Sequence, residues 1–213
     1  MPQSVEKPVD TNLFLTIENL KAKGMSAAID LQLNAKDICM VSGPSGSGKS
    51  QFFKALADLI EHSGKVQLEQ QILEQTSPEI WRVQVMYFSA ETAWWDDVVA
   101  THFDTPPKEQ QLAKIGLDTI MLNANPDSLS SGEKQRFALL RGLQYQPKVL
   151  LLDEITANLD PSSEYLVETM VKEYVQQNHA IALWISHDPE QTKRMATKTL
   201  TFTKHGYSSE DLG

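Results

Sequence analysis

One cysteine, Cys39, stands among the 213 residues. It can form no disulfide within the chain, which fits a reducing compartment, and its place in the apolar run Ile38 to Val41 reads as a small core residue. Long hydrophobic runs are also scarce. The fullest, Val149 to Leu152 and Ile181 to Ile185, fall far short of the roughly 20 residues that a membrane-crossing helix needs. Any work at a membrane is therefore expected to pass through another chain. Positive charge is in deficit, with 19 Lys and Arg against 28 Asp and Glu, a net charge of -9 and a pI near 5.0. A field of that sign repels nucleic acid, and no nucleic-acid partner is expected. Residues 1–11 lack the basic-then-apolar profile of a signal peptide; polar and carrying two prolines, they are expected to form a flexible arm.

What the chain does have begins at Gly43-Pro44-Ser45-Gly46-Ser47-Gly48-Lys49-Ser50, between the apolar run ending at Val41 and an amphipathic stretch over Gln51 to Ile60. The glycines let successive N–H groups turn into one concavity, and a helix beginning there adds its positive end. Lys49 can then reach the β- and γ-phosphates of a nucleoside triphosphate, and Ser50 can serve Mg²⁺. A surface turn rich in Gly and Ser shares the composition but not this strand-before, helix-after setting.

Alternation of Leu13, Leu15 and Ile17, and of Ile29, Leu31 and Leu33, predicts two half-buried strands forming an antiparallel flap. Phe52, Phe53, Leu56 and Ile60 give the loop's helix a buried face, with an end expected at Ser63-Gly64. Val66 to Leu68 and Val83 to Phe88 read as short strands on either side of a turn opened by Pro78. Residues 92–128 change character and read as a small helical insertion, with helices over Lys108 to Ile115 and near Leu117 to Leu122. Ser130 and Glu133 make a capping box that starts a helix running to about Gln146, before Pro147. Val149 to Leu152 and Ile181 to Ile185 have the profile of parallel strands covered on both faces. The helix between them starts at Asp160-Pro161, with Leu166, Met170 and Tyr174 as its stripe. Functional side chains are expected at the carboxyl ends of such strands.

Asp153 and Glu154 end an apolar strand, where adjacent carboxylates are costly unless used. Their chemistry suits an Mg²⁺ shell at Asp153 and a base at Glu154 that polarises the attacking water. His187 closes the neighbouring strand and reads as a group at the γ-phosphate edge, against the alternative of a structural histidine. Ser130-Ser131-Gly132 forms a second anion-binding helix start in a chain that already has one. Two such starts suggest one nucleotide held between two molecules. Trp94 and Trp95 are balanced between core and an exposed docking patch.

In this order the motifs resemble those of the ATP-binding subunits of ABC transporters. The Walker A motif is GPSGSGKS, the signature LSSGEKQR, the Walker B motif VLLLDE, the D-loop Ala157-Asn158-Leu159-Asp160, and the switch histidine His187. The run LQYQPKVLLLDEITANLD is similar to bacterial iron-export type subunits. The resemblance implies a P-loop α/β fold of ABC type over residues 12–213, mostly parallel, with an antiparallel flap and with residues 92–128 as a helical subdomain. It implies ATP and Mg²⁺ as ligands: Ser47 and Lys49 on phosphate, Ser50 and Asp153 on Mg²⁺, Glu154 as base, His187 as sensor, and Ser130 and Gly132 acting in trans. It also implies a head-to-tail homodimer on the cytoplasmic face of a membrane, bound to a transmembrane permease.

Departures from the family pattern are concrete. Ala90 stands where glutamine is usual after the strand, with Glu91 beside it, and Ala22 is the nearest match to the usual adenine-stacking aromatic. Ser131 and Glu133 replace the signature's usual Gly and Gln. Three rivals follow. A soluble ABC ATPase acting on DNA or ribosomes usually brings a second nucleotide domain, a coiled-coil insertion or zinc cysteines, which this chain lacks. A small-molecule kinase would have no use for the signature. A degenerate subunit with little turnover fits Ala90 and Ala22 but not Glu154 and His187.

Overall fold

The computed structural model describes residues 14–157 and 159–212. The expected arm at 1–11, Leu13 of the first strand pattern and Asn158 of the D-loop lie outside them. In chain order the strands are β1 (Phe14–Ala22), β2 (Ile29–Asn34), β3 (Ile38–Ser42), β4 (His62–Leu68), β5 (Gln71–Ile72), β6 (Val85–Ser89), β7 (Val149–Asp153), β8 (Ile181–Ile185), β9 (Lys198–Phe202) and β10 (Tyr207–Asp211). The helices are α1 (Lys49–Leu56), α2 (Pro78–Gln84), α3 (Glu109–Lys114), α4 (Ser131–Leu143), α5 (Pro161–Asn178) and α6 (Pro189–Met195).

Two sheets result. An antiparallel one runs β2-β1-β4-β5, the flap expected from the alternating leucines and isoleucines. The other runs β10-β9-β3-β8-β7-β6 and is parallel except for its β10 edge. β7 and β8 are buried along their whole length, as their unbroken apolar sequences require. Period-two alternation sends Cys39, Val41, Leu151, Leu183 and Ile185 to the face shared with α1 and the antiparallel sheet. Ile38, Met40, Leu150, Leu152 and Trp184 meet Phe137 of α4 and Val167, Val171 and Val175 of α5 on the other. Burial pushes the Cys39 thiol up to about 12, which leaves it a core residue rather than a nucleophile.

Four local expectations change. α1 stops at Leu56, well before Ser63-Gly64, because the indole N–H of buried Trp81 takes the Leu56 carbonyl at 2.8 Å and Asp58 turns left-handed. Phe52, Phe53 and Leu56 are fully buried, each contributing about 1.5–3 kcal/mol, so three side chains anchor this short helix. The segment opened by Pro78 is a helix, not a turn; proline suits its first position, and only Trp81 is buried. α4 ends at Leu143 and tightens into i→i+3 bonds from Tyr145 to Gly142 and from Gln146 to Leu143. The α5 stripe is rotated one position, onto Val167, Met170, Val171 and Val175, leaving Leu166 half-buried.

Within 92–128 the helical character is held by α3 and by 3₁₀ turns at Val99–His102, Thr119–Asn123 and Pro126–Ser128. Val99, Phe103, Leu112, Ile115 and Leu117 share the core of α4 and α5. Exposure separates the tryptophan pair: Trp94 packs against the core, while Trp95 is 70% exposed. Both rings lie 4.8 Å from the Arg141 guanidinium and pack edge-on against His102. His102 is buried; its Nε2 accepts from the Trp95 and Asp96 N–H groups, so Nδ1–H donates to the Val98 carbonyl.

Candidate active site

Parallel pairing brings four strand ends to one edge of the sheet. β3 runs into the glycine loop, β7 into Glu154, β8 into Ser186-His187, and β6 into Ala90-Glu91. Gly48 precedes α1 at φ +100°, and a Cβ there would lie 2.6 Å from Met25 Cα, so only glycine lets the loop turn into the helix against the 24–26 segment. Ser26 N–H donates to the Ser47 carbonyl from that side. No side chain caps α1, so its first N–H groups stay available at the positive end of the helix. Ser47 Oγ is buried without a partner, an atom that a phosphate oxygen would satisfy. Lys49 Nζ donates to the Gly43 and Pro44 carbonyls at 2.8 and 3.1 Å, holding its charge over the loop. Burial lowers the pKa of this amine against the pull of Glu154 and Asp153.

Ser50 Oγ donates to Asp153 Oδ1 at 3.2 Å. A serine hydroxyl and a carboxylate side by side, next to a phosphate loop, are the hard oxygen donors that Mg²⁺ takes, so these residues fit the ion. Glu154 follows in the left-handed region at φ 53°, its N–H donating to the Ile185 carbonyl. A non-glycine residue held there costs roughly 1–3 kcal/mol, and the bond to Ile185 helps to hold it. Register sets Asp153 opposite Ile185, so His187, two residues on, lies beside Glu154; its Nε2–H donates to Oε1 at 3.1 Å. Both side chains are part-exposed, which suits groups that meet water and phosphate.

The second helix start is built as the sequence foretold. Ser130 Oγ accepts from Glu133 N–H, and Glu133 Oε2 accepts from Ser130 N–H at 2.8 Å. The Ser130 N–H and, also at 2.8 Å, the Ser130 hydroxyl both donate to Glu133 Oε2, which holds that carboxyl below the usual carboxylate range. The box leaves the N–H groups of Ser131 and Gly132 outside it. Arg136 Nη1 donates to Ser163 Oγ at 2.7 Å, tying this start to that of α5. There Asp160 accepts from the Ser162 and Ser163 N–H groups, and hydrogen bonds from these serines hold its carboxyl well below the usual range.

Two readings of the sequence shift. Ala22 is buried in the antiparallel sheet's core, so an aromatic ring at that position would overpack the core rather than offer a stacking surface. Tyr87, read only as part of a strand, donates to Asp153 Oδ2 at 2.7 Å. The signal for it was a polar-tipped aromatic in period with Val85, but the partner depended on strand pairing. Gln191 was also missed: buried in α6, it donates to Thr156 Oγ1 and to buried Glu168, which Arg194 pairs at 2.7 Å.

Comparison with known proteins agrees with this geometry. Residues 27–157 match the ABC transporter family. The chain is 38% identical over 189 residues to the Probable iron export ATP-binding protein FetA of Escherichia coli (strain K12), covering 83% of this chain and 84% of that protein. It is 28% identical over 206 residues to the Ergothioneine transport ATP-binding protein EgtV of Helicobacter pylori (strain G27), covering 88% and 96%. Among solved structures, a chain of a transporter assigned to the metal-chelate type of ABC transporter, in an inward-facing conformation, superposes with a TM-score of 0.75 at 24% identity, covering 94% of this chain and 83% of that one. This chain belongs to the ABC transporter family, as an ATP-binding ATPase subunit.

Proposed function

We propose that two copies of this chain pair head to tail, each closing its Ser130–Gly132 helix start on the ATP held by the other's phosphate loop. The observation that carries this is the presence in one chain of two separate helix starts, α1 and α4, that leave backbone N–H groups outside any side-chain cap, with Lys49 of α1 turned onto the glycine loop and Lys134 of α4 turned to Asp127. Lys49, Ser47 and the loop amides bind the phosphates, and Ser130, Ser131 and Gly132 cover the γ-phosphate from the partner copy. Asp160 of the D-loop holds the start of α5 at that interface.

Ser50 and Asp153 would hold Mg²⁺, which when bound offsets the charge of the phosphate oxygens. Glu154 takes the proton of the attacking water, and His187 orients Glu154 and senses the γ-phosphate. Hydrolysis energises a transmembrane permease at the cytoplasmic face of a membrane. Among the described residues no helix is long and apolar enough to cross a bilayer. The groove beside β6 lined by Met86, Phe88, Arg141, Tyr145 and exposed Trp95 suits the permease. The likeness to an iron-export protein supports metal export, with iron as cargo; deleting the chain should raise cellular iron under iron excess, and unchanged iron would remove that assignment.

The pairing is tested with Glu154→Gln, which keeps the binding groups but not the base. With Mg²⁺ and ATP, light scattering on a sizing column should report twice the 23.9 kDa mass of the chain. A monomer at saturating ATP, with the permease present as well as absent, would count against the shared site.

A further inference from the structure

Tyr87 occupies the middle of β6, opposite Leu151, with Ser89 opposite Asp153. Alternation sends Val85, Tyr87 and Ser89 to the face that carries Leu151 and Asp153, where α1 packs. The Tyr87 ring lies against that core, which leaves the hydroxyl as its one polar handle. It donates to Asp153 Oδ2 at 2.7 Å, while Oδ1 accepts from Ser50 Oγ at 3.2 Å. Each carboxylate oxygen thus has its own donor, one from the sheet and one from the nucleotide loop's helix. Asp153 is only 8% exposed, so little water is at hand to replace either.

The other hydroxyl of β6 on that face, Ser89 Oγ, accepts from Glu91 N–H at 3.3 Å and makes no hydrogen bond to Asp153, so without the phenol the carboxylate's end torsion, broad and two-fold, loses its donor on the β6 side. The residues that leave β6 do not supply a substitute: Ala90 has no polar side-chain atom, and Glu91 when ionised only accepts. We propose that Tyr87 is a positioning residue of the metal–nucleotide site, its hydroxyl holding Asp153 so that Oδ1 stays with Ser50 on the nucleotide side. The proposal rests on the reading that Ser50 and Asp153 serve Mg²⁺.

Tyr87→Phe keeps the packed ring and removes the hydroxyl alone. Mn²⁺ is titrated into each chain at saturating ATP, with the free ion read by electron paramagnetic resonance, and ATP is titrated separately in EDTA. Tyr87→Phe should weaken metal binding roughly tenfold and leave ATP affinity in EDTA unchanged. The KM for Mg²⁺ in hydrolysis should rise in step, with a far smaller change in kcat at saturating Mg²⁺. In an Asp153→Asn background, adding Tyr87→Phe should weaken the metal no further, because the hydroxyl acts through that carboxylate. Unchanged metal affinity in Tyr87→Phe, while Asp153→Asn loses it, overturns the role of Tyr87 and leaves the metal reading standing. An equal loss of ATP affinity in EDTA also overturns it, since that is the mark of general support of the fold. If Asp153→Asn itself leaves metal affinity intact, the metal reading fails first.

Discussion

Glu154 and Asp160 show how single residues carry this site. Glu154 sits at φ 53° between Asp153 and the turn, bonded by His187, so a change to Gln alters its chemistry without altering the strained backbone that places it. Glu154→Gln should keep ATP binding and lose about 10²- to 10⁴-fold in turnover, measured by phosphate release. Near-normal turnover would remove Glu154 from the role of base. Asp160 makes a pH prediction. Its carboxyl is held below the ordinary carboxylate value of about 3.9 by hydrogen bonds in the folded state, so its contribution to stability is complete above that value and disappears as pH falls through the folded one. The difference in Tm between the natural chain and Asp160→Ala should persist from neutral pH to about pH 5 and close in stronger acid; a gap that widens on acidification would contradict the cap. The loop, the carboxylate pair, the histidine and the cap were legible in the sequence because each is a local pattern. Tyr87 and Gln191 were not, because their partners, Asp153 and Glu168, are reached only through pairing and packing.

Elements obey the same division. β7, β8 and α5 follow from runs that need no partner to be recognised, whereas α1 and α2 are bounded by each other. Trp81 takes the last carbonyl of α1 and is the single buried residue of α2, a relation that no periodicity signals. Trp81→Phe should therefore leave the Leu56 carbonyl unpaired and cost about 1–3 kcal/mol, read as a lower Tm. An unchanged Tm would mean that another donor reaches that carbonyl. The contact of α4 with β6 is as specific: a Cβ on Gly142 would lie 2.3 Å from the Phe88 ring and 2.8 Å from Met86 Sδ. Gly142→Ala should destabilise by about 1–3 kcal/mol through overpacking. A variant as stable as the natural chain would show that β6 and α4 are free to separate. The same contact is invisible in sequence, where Gly142 interrupts a helix without apparent reason.

For the whole molecule, the parallel sheet gathers the phosphate loop, Asp153, Glu154 and His187 at one edge, while the Ser130 helix start belongs to α4 on the opposite face of the sheet from α1. That arrangement is the reason for reading the active site as shared between two copies, and it admits a direct test. Lys49→Ala disables the phosphate side of a site, and Ser130→Arg puts bulk at the closing side. Each variant alone should be inactive. In a mixed dimer the intact loop of the Ser130→Arg chain faces the intact signature of the Lys49→Ala chain, which rebuilds one complete site. Equal mixing, with the permease present and mixed dimers verified by two affinity tags, should return about a quarter of the natural ATPase rate, since half of the dimers are mixed and each has one working site. ATPase activity that stays at background in verified mixed dimers would contradict the shared site.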